Sequence, residues 1–179
     1  MRLLYTGAGC VMPRANTCSL HLHSLAGLTH TDYNVPQAFS YEQWFDTIRA
    51  LGLGADTIAE AYRRMVFNVA ARNQDDHVKN HSFLMDRTGA WQLAPAYDLT
   101  FAADGRWASR NQMTVAGKSD DLTGDDLLAI GRRYDLPRHG APLIDAVRAA
   151  LAEWPERAKA VGLDPQIITG VQSRFRNLG

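Results

Sequence analysis

Apolar residues at Ile58, Tyr62, Met65, Val66 and Val69 recur at the i, i+4, i+7, i+8 spacing of a helix that buries one face. Upstream, Ser40-Tyr-Glu-Gln43 has the form of a capping box, in which Ser and Gln side chains satisfy reciprocal orphan amides. A helix is expected from there to about Leu51, ended by Gly52 and Gly54. Thr57-Ile-Ala-Glu60 reads as a second capping box that opens the next helix. Leu20, Leu22, Leu25 and Leu28, mixed with Ala26, predict a mostly buried helix between about Asn16 and His30, followed by a loop. After Arg72 the pattern turns polar, then two short β-like runs, Ser82–Met85 and Trp91–Leu93, flank the turn Asp86-Arg-Thr-Gly89 as a hairpin. Beyond Asp98 the reading is a loop, a weak strand near Gln112–Val115, and three helices. These start near Thr123 (capped with Asp126), near Pro142 and at Asp164-Pro165, and Pro155 should kink or divide the second. The expected class is mainly α with a small β-hairpin. Residues 1–15 read as an irregular N-terminal leader, broken by Gly7-Ala-Gly9 and Pro13, and 16–179 as the domain.

Composition narrows the function classes. Lys plus Arg equals Asp plus Glu at 19 each, so direct nucleic-acid binding through clustered positive charge is not expected. No apolar run approaches the ~18 residues of a membrane span, and no signal peptide is evident, so a cytoplasmic location is expected. Cys10 and Cys18 form no C-x-x-C pair and read as reduced thiols.

The chemistry concentrates in Asn73-Gln-Asp-Asp-His-Val-Lys-Asn80. Asp75 is followed by Asn80 at +5, and Asp98 comes 18 residues later, beyond the hairpin. A protein-kinase catalytic loop has the same order and first spacing: an Asp base, an Asn, then a metal-binding Asp. Phosphoryl transfer needs a carboxylate to orient the acceptor hydroxyl and Mg²⁺ to neutralise phosphate charge. Mg²⁺ takes oxygen ligands, which an Asn carbonyl and an Asp carboxylate supply. An Asp-Asp pair taken alone is most often a solvated turn. His77 and His81 have the spacing of a zinc pair but lack an evident third ligand. Tyr41, Trp44 and Phe45 read as core, and His21 and His23 as capping or hydrogen-bonding groups.

Together, Asn73–Asn80 and Leu93-Ala-Pro-Ala-Tyr-Asp-Leu99 resemble the signature of HipA-type serine/threonine kinases, the toxin halves of bacterial toxin–antitoxin pairs. The stretches His21-Leu-His-Ser-Leu25, His30-Thr-Asp-Tyr-Asn34 and Ser40-Tyr41 are similar to what precedes that loop in the family. The resemblance covers about residues 16 to 135 and implies the C-terminal lobe of a protein-kinase-like fold. It implies Asp75 as catalytic base, Asn80 and Asp98 as Mg²⁺ ligands and contacts of Mg·ATP, His77 as a brace of the loop, and Lys79 near the phosphates. Asp76 is then a neighbour whose replacement by Asn is expected to matter little.

The chain departs from a complete kinase in one respect. Gly7-Ala-Gly9 lacks the third glycine of a phosphate loop, and neither Lys79 nor Lys118 precedes the catalytic loop as a strand lysine would. The isolated chain is therefore expected to bind Mg·ATP weakly, and the missing N-terminal lobe, or a HipB-like antitoxin, to be its partner. Three roles follow: a kinase lobe acting on Ser/Thr of a protein substrate, an inactive remnant that binds an antitoxin-like partner, or a metal-dependent phosphohydrolase using Asp75, Asp76, His77 and Asp98.

Overall fold

Helix α2 (Tyr41–Ala50) begins where the capping box was expected: Gln43 N–H donates to Ser40 Oγ and Ser40 N–H to Gln43 Oε1. Such caps satisfy amides that the first helical turn leaves unpaired. Tyr41, Trp44, Phe45 and Ile48, at i, i+3, i+4 and i+7, are fully buried. The computed structural model describes residues 20–103 and 109–178. The leader, Cys10, Cys18 and the Gly7–Gly9 segment lie outside the described residues.

Helix α3 (Ala55–Ala70) follows, with Ile58, Tyr62, Met65, Val66 and Val69 all buried as the periodicity required. The second capping box is not formed. The helix starts at Ala55 with Gly54 as N-cap, so Thr57 already lies in its first turn and makes no side-chain cap. Extended backbone at Gly54 (φ −81°, ψ −177°) suffices to launch the helix three residues early.

The expected helix over 16–30 is a second departure. Residues His21–Ser24 form a strand, β1, and only Leu25–Thr29 make a short helix, α1, capped by Ser24 Oγ accepting from Gly27 N–H. β1 pairs antiparallel with β2 (Ser82–Met85), which pairs with β3 (Trp91–Leu93), in the order β1-β2-β3. The register sets His23 against Phe83 and Phe83 against Leu93. Leu22 is 59% exposed, whereas Phe83 is buried. The four leucines therefore do not share one helical face, and partnering with the hairpin overrides the local pattern. The hairpin turn forms as expected, with Asp86 Oδ1 accepting from the Thr88 and Ala90 amides and Gly89 at φ 86°.

The C-terminal third is helical: α4 (Gly124–Arg133), α5 (Ala141–Ala152), α6 (Trp154–Ala160) and α7 (Pro165–Gln172). Thr123 and Asp126 form a reciprocal capping box, and Pro155 stands in the first turn of α6, where α5 and α6 divide at Glu153. Near 112–115 isolated bridges, Ser40 with Thr114 and Val115 with Lys118, stand in place of a strand. One core joins α2, α3, α4 and α5 with Leu25 of α1 and Phe83 of β2. Tyr134 Oη donates to the Glu42 carbonyl and Tyr62 Oη to the Leu127 carbonyl, tying α4 to α2 and α3. Gly140 (φ 82°) passes under Tyr62 so closely that a Cβ would lie 2.6 Å from its ring. Among the described residues no helix is long and apolar enough to cross a membrane.

Candidate active site

The loop that leaves α3 is tied to the backbone beyond Asp98. Asn73 N–H closes the helix on the Asn68 carbonyl at 2.9 Å. Gln74 N–H then donates to the Ala102 carbonyl (2.9 Å), and Ala102 N–H donates back to Arg72 (3.1 Å). Val78–Asn80 make a single 3₁₀ turn with Val78 buried, and the chain enters β2.

The adjacent aspartates face opposite ways. Asp76 has 0% exposure: Oδ2 accepts from Tyr41 Oη (2.7 Å) and Asn111 Nδ2 (2.9 Å), and Oδ1 from Gln112 N–H (2.6 Å). Burial pushes its pKa up, and the three hydrogen bonds pull against that shift. All three neighbours donate to it, so each hydrogen bond offsets part of the cost of burying the carboxylate. Asp76, expected as a neighbour rather than the base, is a buried keystone that joins α2 to the 111–112 segment, a structural role its place in the sequence did not show. Asp75 instead leaves 48% of its side chain in solvent, with Oδ1 4.0 Å from His77 Nε2. A pair so long and so exposed contributes little to stability.

Asn80 Nδ2 donates to the Asp75 carbonyl at 2.8 Å, which fixes the amide and leaves its Oδ1 available as a ligand. Tyr97 Oη donates to the Lys79 carbonyl and shares a hydrogen bond with Ser82 Oγ, fastening the return of the hairpin to the 3₁₀ turn. Asp98 follows at φ 55°, a left-handed conformation uncommon for a residue with a Cβ. Its carbonyl accepts from Asn73 Nδ2 at 3.1 Å. Its carboxylate is exposed, and no hydrogen bond or ion pair engages it among the described residues. Asn80, Tyr97 and Asp98 line one small pocket with Asn73, His81 and Arg64. Arg64 is committed elsewhere, to Glu60 and to the Ala94 carbonyl.

His77 and Lys79 both meet Tyr33, from the loop after α1. The Lys79 ammonium lies 3.3 Å from the Tyr33 ring centroid, and the His77 ring meets Tyr33 edge-on at 5.7 Å. His81 turns away from them, stacked on Trp44 at 4.0 Å between centroids. Burial, with Arg64 and His77 nearby, lowers its pKa to about 3, so it is neutral at pH 7. Among the described residues, no three His, Cys, Asp or Glu side chains converge on a possible metal. The phosphohydrolase grouping is also broken geometrically, because Asp76 points into the core, away from the exposed Asp75.

Sequence reasoning gave no role to Asn68, Asn111 or Gln112, and took Tyr41 as plain core. For Asn68 a signal existed: a polar side chain on the buried face of α3, 2% exposed. Asn111 and Gln112 carried none, because their meeting with Asp76 is made by tertiary folding alone.

A mainly helical lobe carries a three-stranded antiparallel sheet, with its polar loop between the central helix and the hairpin. The family model described as the HipA-like C-terminal domain matches residues 12–173, and the chain belongs to that family. No curated protein matches it in sequence. Among solved structures it is similar to HipA of the Shewanella oneidensis MR-1 toxin–antitoxin system, in a complex with HipB and its operator DNA. That likeness has a TM-score of 0.62 at 18% identity, over 79% of this chain and 35% of the HipA chain. At this identity it establishes the fold, and the chain spans about a third of that HipA chain's length.

Proposed function

We propose that the chain is the metal- and acceptor-side lobe of a serine/threonine protein kinase that transfers the γ-phosphoryl group of Mg·ATP to a protein hydroxyl. The observation that carries this is the shared pocket: Asn80 and Asp98, from opposite ends of the hairpin, line one cavity, with Asp75 hydrogen-bonded through its carbonyl to Asn80. The donor set fits Mg²⁺, since an amide oxygen and an unpaired carboxylate are hard oxygen ligands that leave positions for phosphates and water. When bound, Mg²⁺ neutralises charge on the phosphate oxygens.

The side chains divide the work. Asp75, half exposed at the rim, orients the acceptor hydroxyl and takes its proton. Asn80 and Asp98 hold the metal, and His77 braces the loop. Lys79 offers positive charge near the phosphates once released from the Tyr33 ring. The phosphate-gripping loop and strand lysine come from an N-terminal lobe, in the same or another chain, and a HipB-like antitoxin is the partner that the Shewanella complex suggests.

The test joins this lobe to a HipA-like N-terminal lobe and follows phosphotransfer to protein Ser or Thr as Mg²⁺ is varied. Asp98→Asn should raise the Mg²⁺ requirement and lower turnover together, because it removes charge facing the metal. An active enzyme whose Mg²⁺ dependence ignored Asp98 would overturn the assignment.

A further inference from the structure

Asp98 is held by more than its neighbours in sequence. Asn73 carries two amide hydrogens on Nδ2, and each meets an acceptor: Asn68 Oδ1 at 3.0 Å and the Asp98 carbonyl at 3.1 Å. The reverse orientation of this amide would aim Oδ1 at two oxygens, so the chemistry selects the one described. The chosen orientation leaves Asn73 Oδ1 buried with no partner among the described residues. Asn68 is oriented in turn, since its Nδ2 donates to Tyr41 Oη at 2.9 Å, and Tyr41 donates to Asp76. A buried polar chain therefore runs Asp76–Tyr41–Asn68–Asn73 and ends on the backbone of Asp98. It ends where backbone conformation needs support, because Asp98 sits at φ 55°.

We propose that Asn73 is a positioning residue for Asp98: its oriented amide fixes the Asp98 backbone and so aims the carboxylate into the pocket shared with Asn80. This rests on the reading of Asp98 and Asn80 as metal ligands. Asn73 cannot touch the reacting atoms through this contact, and it acts through the Asp98 carbonyl. Partners that orient metal ligands typically alter affinity by ~10–100-fold.

Mn²⁺ alone serves as the probe, since it shares the oxygen preference of Mg²⁺ and broadens nearby NMR signals. The full chain is titrated well below its melting temperature, and broadening is followed at the Lys79–His81 amides. The wild type should bind in a manner that depends on Asp98. Asn73→Ala should weaken binding by about 10-fold or more. Asn73→Ser should do so too, because one hydroxyl hydrogen can serve only one of the two acceptors. A merely structural role would lower the melting temperature of both variants yet leave the affinity of the folded protein unchanged, and that result would overturn the proposal. Binding indifferent to Asp98→Asn in the wild-type background would instead remove the metal-site reading, and this proposal with it. In the wild type, both Asn73 Nδ2 protons should exchange slowly with solvent. Rapid exchange would contradict the two hydrogen bonds even if neither variant folded.

Discussion

Asp75 and Asp76 are consecutive residues of one loop, and they inhabit opposite environments. On the inner side, Asp76, Tyr41, Asn68, Asn73 and Asn111 are linked by hydrogen bonds in a buried network, with the Asn73 and Asn111 amide oxygens left unpartnered among the described residues. On the outer side, Asp75, the Asn80 amide oxygen and the Asp98 carboxylate stand with almost no protein partners. The difference teaches where to look for chemistry. Side chains that the fold has already satisfied hold the loop in shape, and those it leaves unsatisfied in a fixed position are free to bind something else.

The largest effect that would sharpen this contrast is on stability. Asp76→Asn replaces an acceptor with a donor facing other donors, and a buried group left unpaired costs about 1–3 kcal/mol. With at least one donor stranded, chemical denaturation should show a loss of about 2–4 kcal/mol, against no measurable loss for Asp75→Asn. Equal stability of the two variants would erase the distinction between the sides.

The next effect is in pH. Burial lowers the His81 pKa from its ordinary value near 6.5 to about 3 in the folded protein. Between those values the unfolded chain binds a proton that the folded chain refuses, so stability must fall as pH falls from about 6.5 toward 3. The slope approaches about 1.4 kcal/mol per pH unit. Asp76, with its pKa raised, acts with the opposite sign above its unfolded value: it binds more proton when folded, and its contribution is lost as pH rises. The His81 share is therefore read as the wild-type curve minus that of His81→Phe, measured by denaturation from pH 7 to 4. A flat difference would mean that the ring is not buried against Trp44.

The smallest effect concerns the fastening between the two sides. Tyr97→Phe keeps the ring and removes the hydroxyl that binds Lys79 and Ser82, for a loss of about 1 kcal/mol. In the reconstituted enzyme it should also raise the Mg²⁺ requirement, because Tyr97 ties Asp98 to the turn that carries Asn80. An unchanged Mg²⁺ requirement would show that the chain ahead of Asp98 sets its position without this contact.

Much of this was legible in the sequence wherever local chemistry decides structure. The Ser40 and Thr123 caps, the α3 stripe, the turn at Asp86 and the break before Pro155 each depend on a few adjacent residues. The five-residue spacing of Asp75 and Asn80 likewise picked out a local unit, since the Asn80 amide bonds the Asp75 carbonyl. The fold overruled local pattern where a distant partner intervened. Leu20 and Leu22 became part of a solvent-facing strand region because β2 offered an edge. Thr57 lost its cap because Gly54 started the helix earlier. The contacts of Asp76 could not be read: it meets Tyr41, Asn111 and Gln112 across separations of about 35 residues, and no spacing rule links such positions.

The most direct test of the central claim is turnover in the lobe reunited with a HipA-like N-terminal half, comparing Asp75→Asn with the wild type. The change preserves shape and leaves Asn80 and Asp98 in place, but removes the carboxylate that orients the acceptor hydroxyl. General base catalysis contributes ~10²–10⁴-fold, so kcat should fall within that range while ATP affinity and melting temperature stay as in the wild type. If Asp75→Asn transferred phosphate at the wild-type rate in an active enzyme, the exposed side of this loop would not be the site of chemistry.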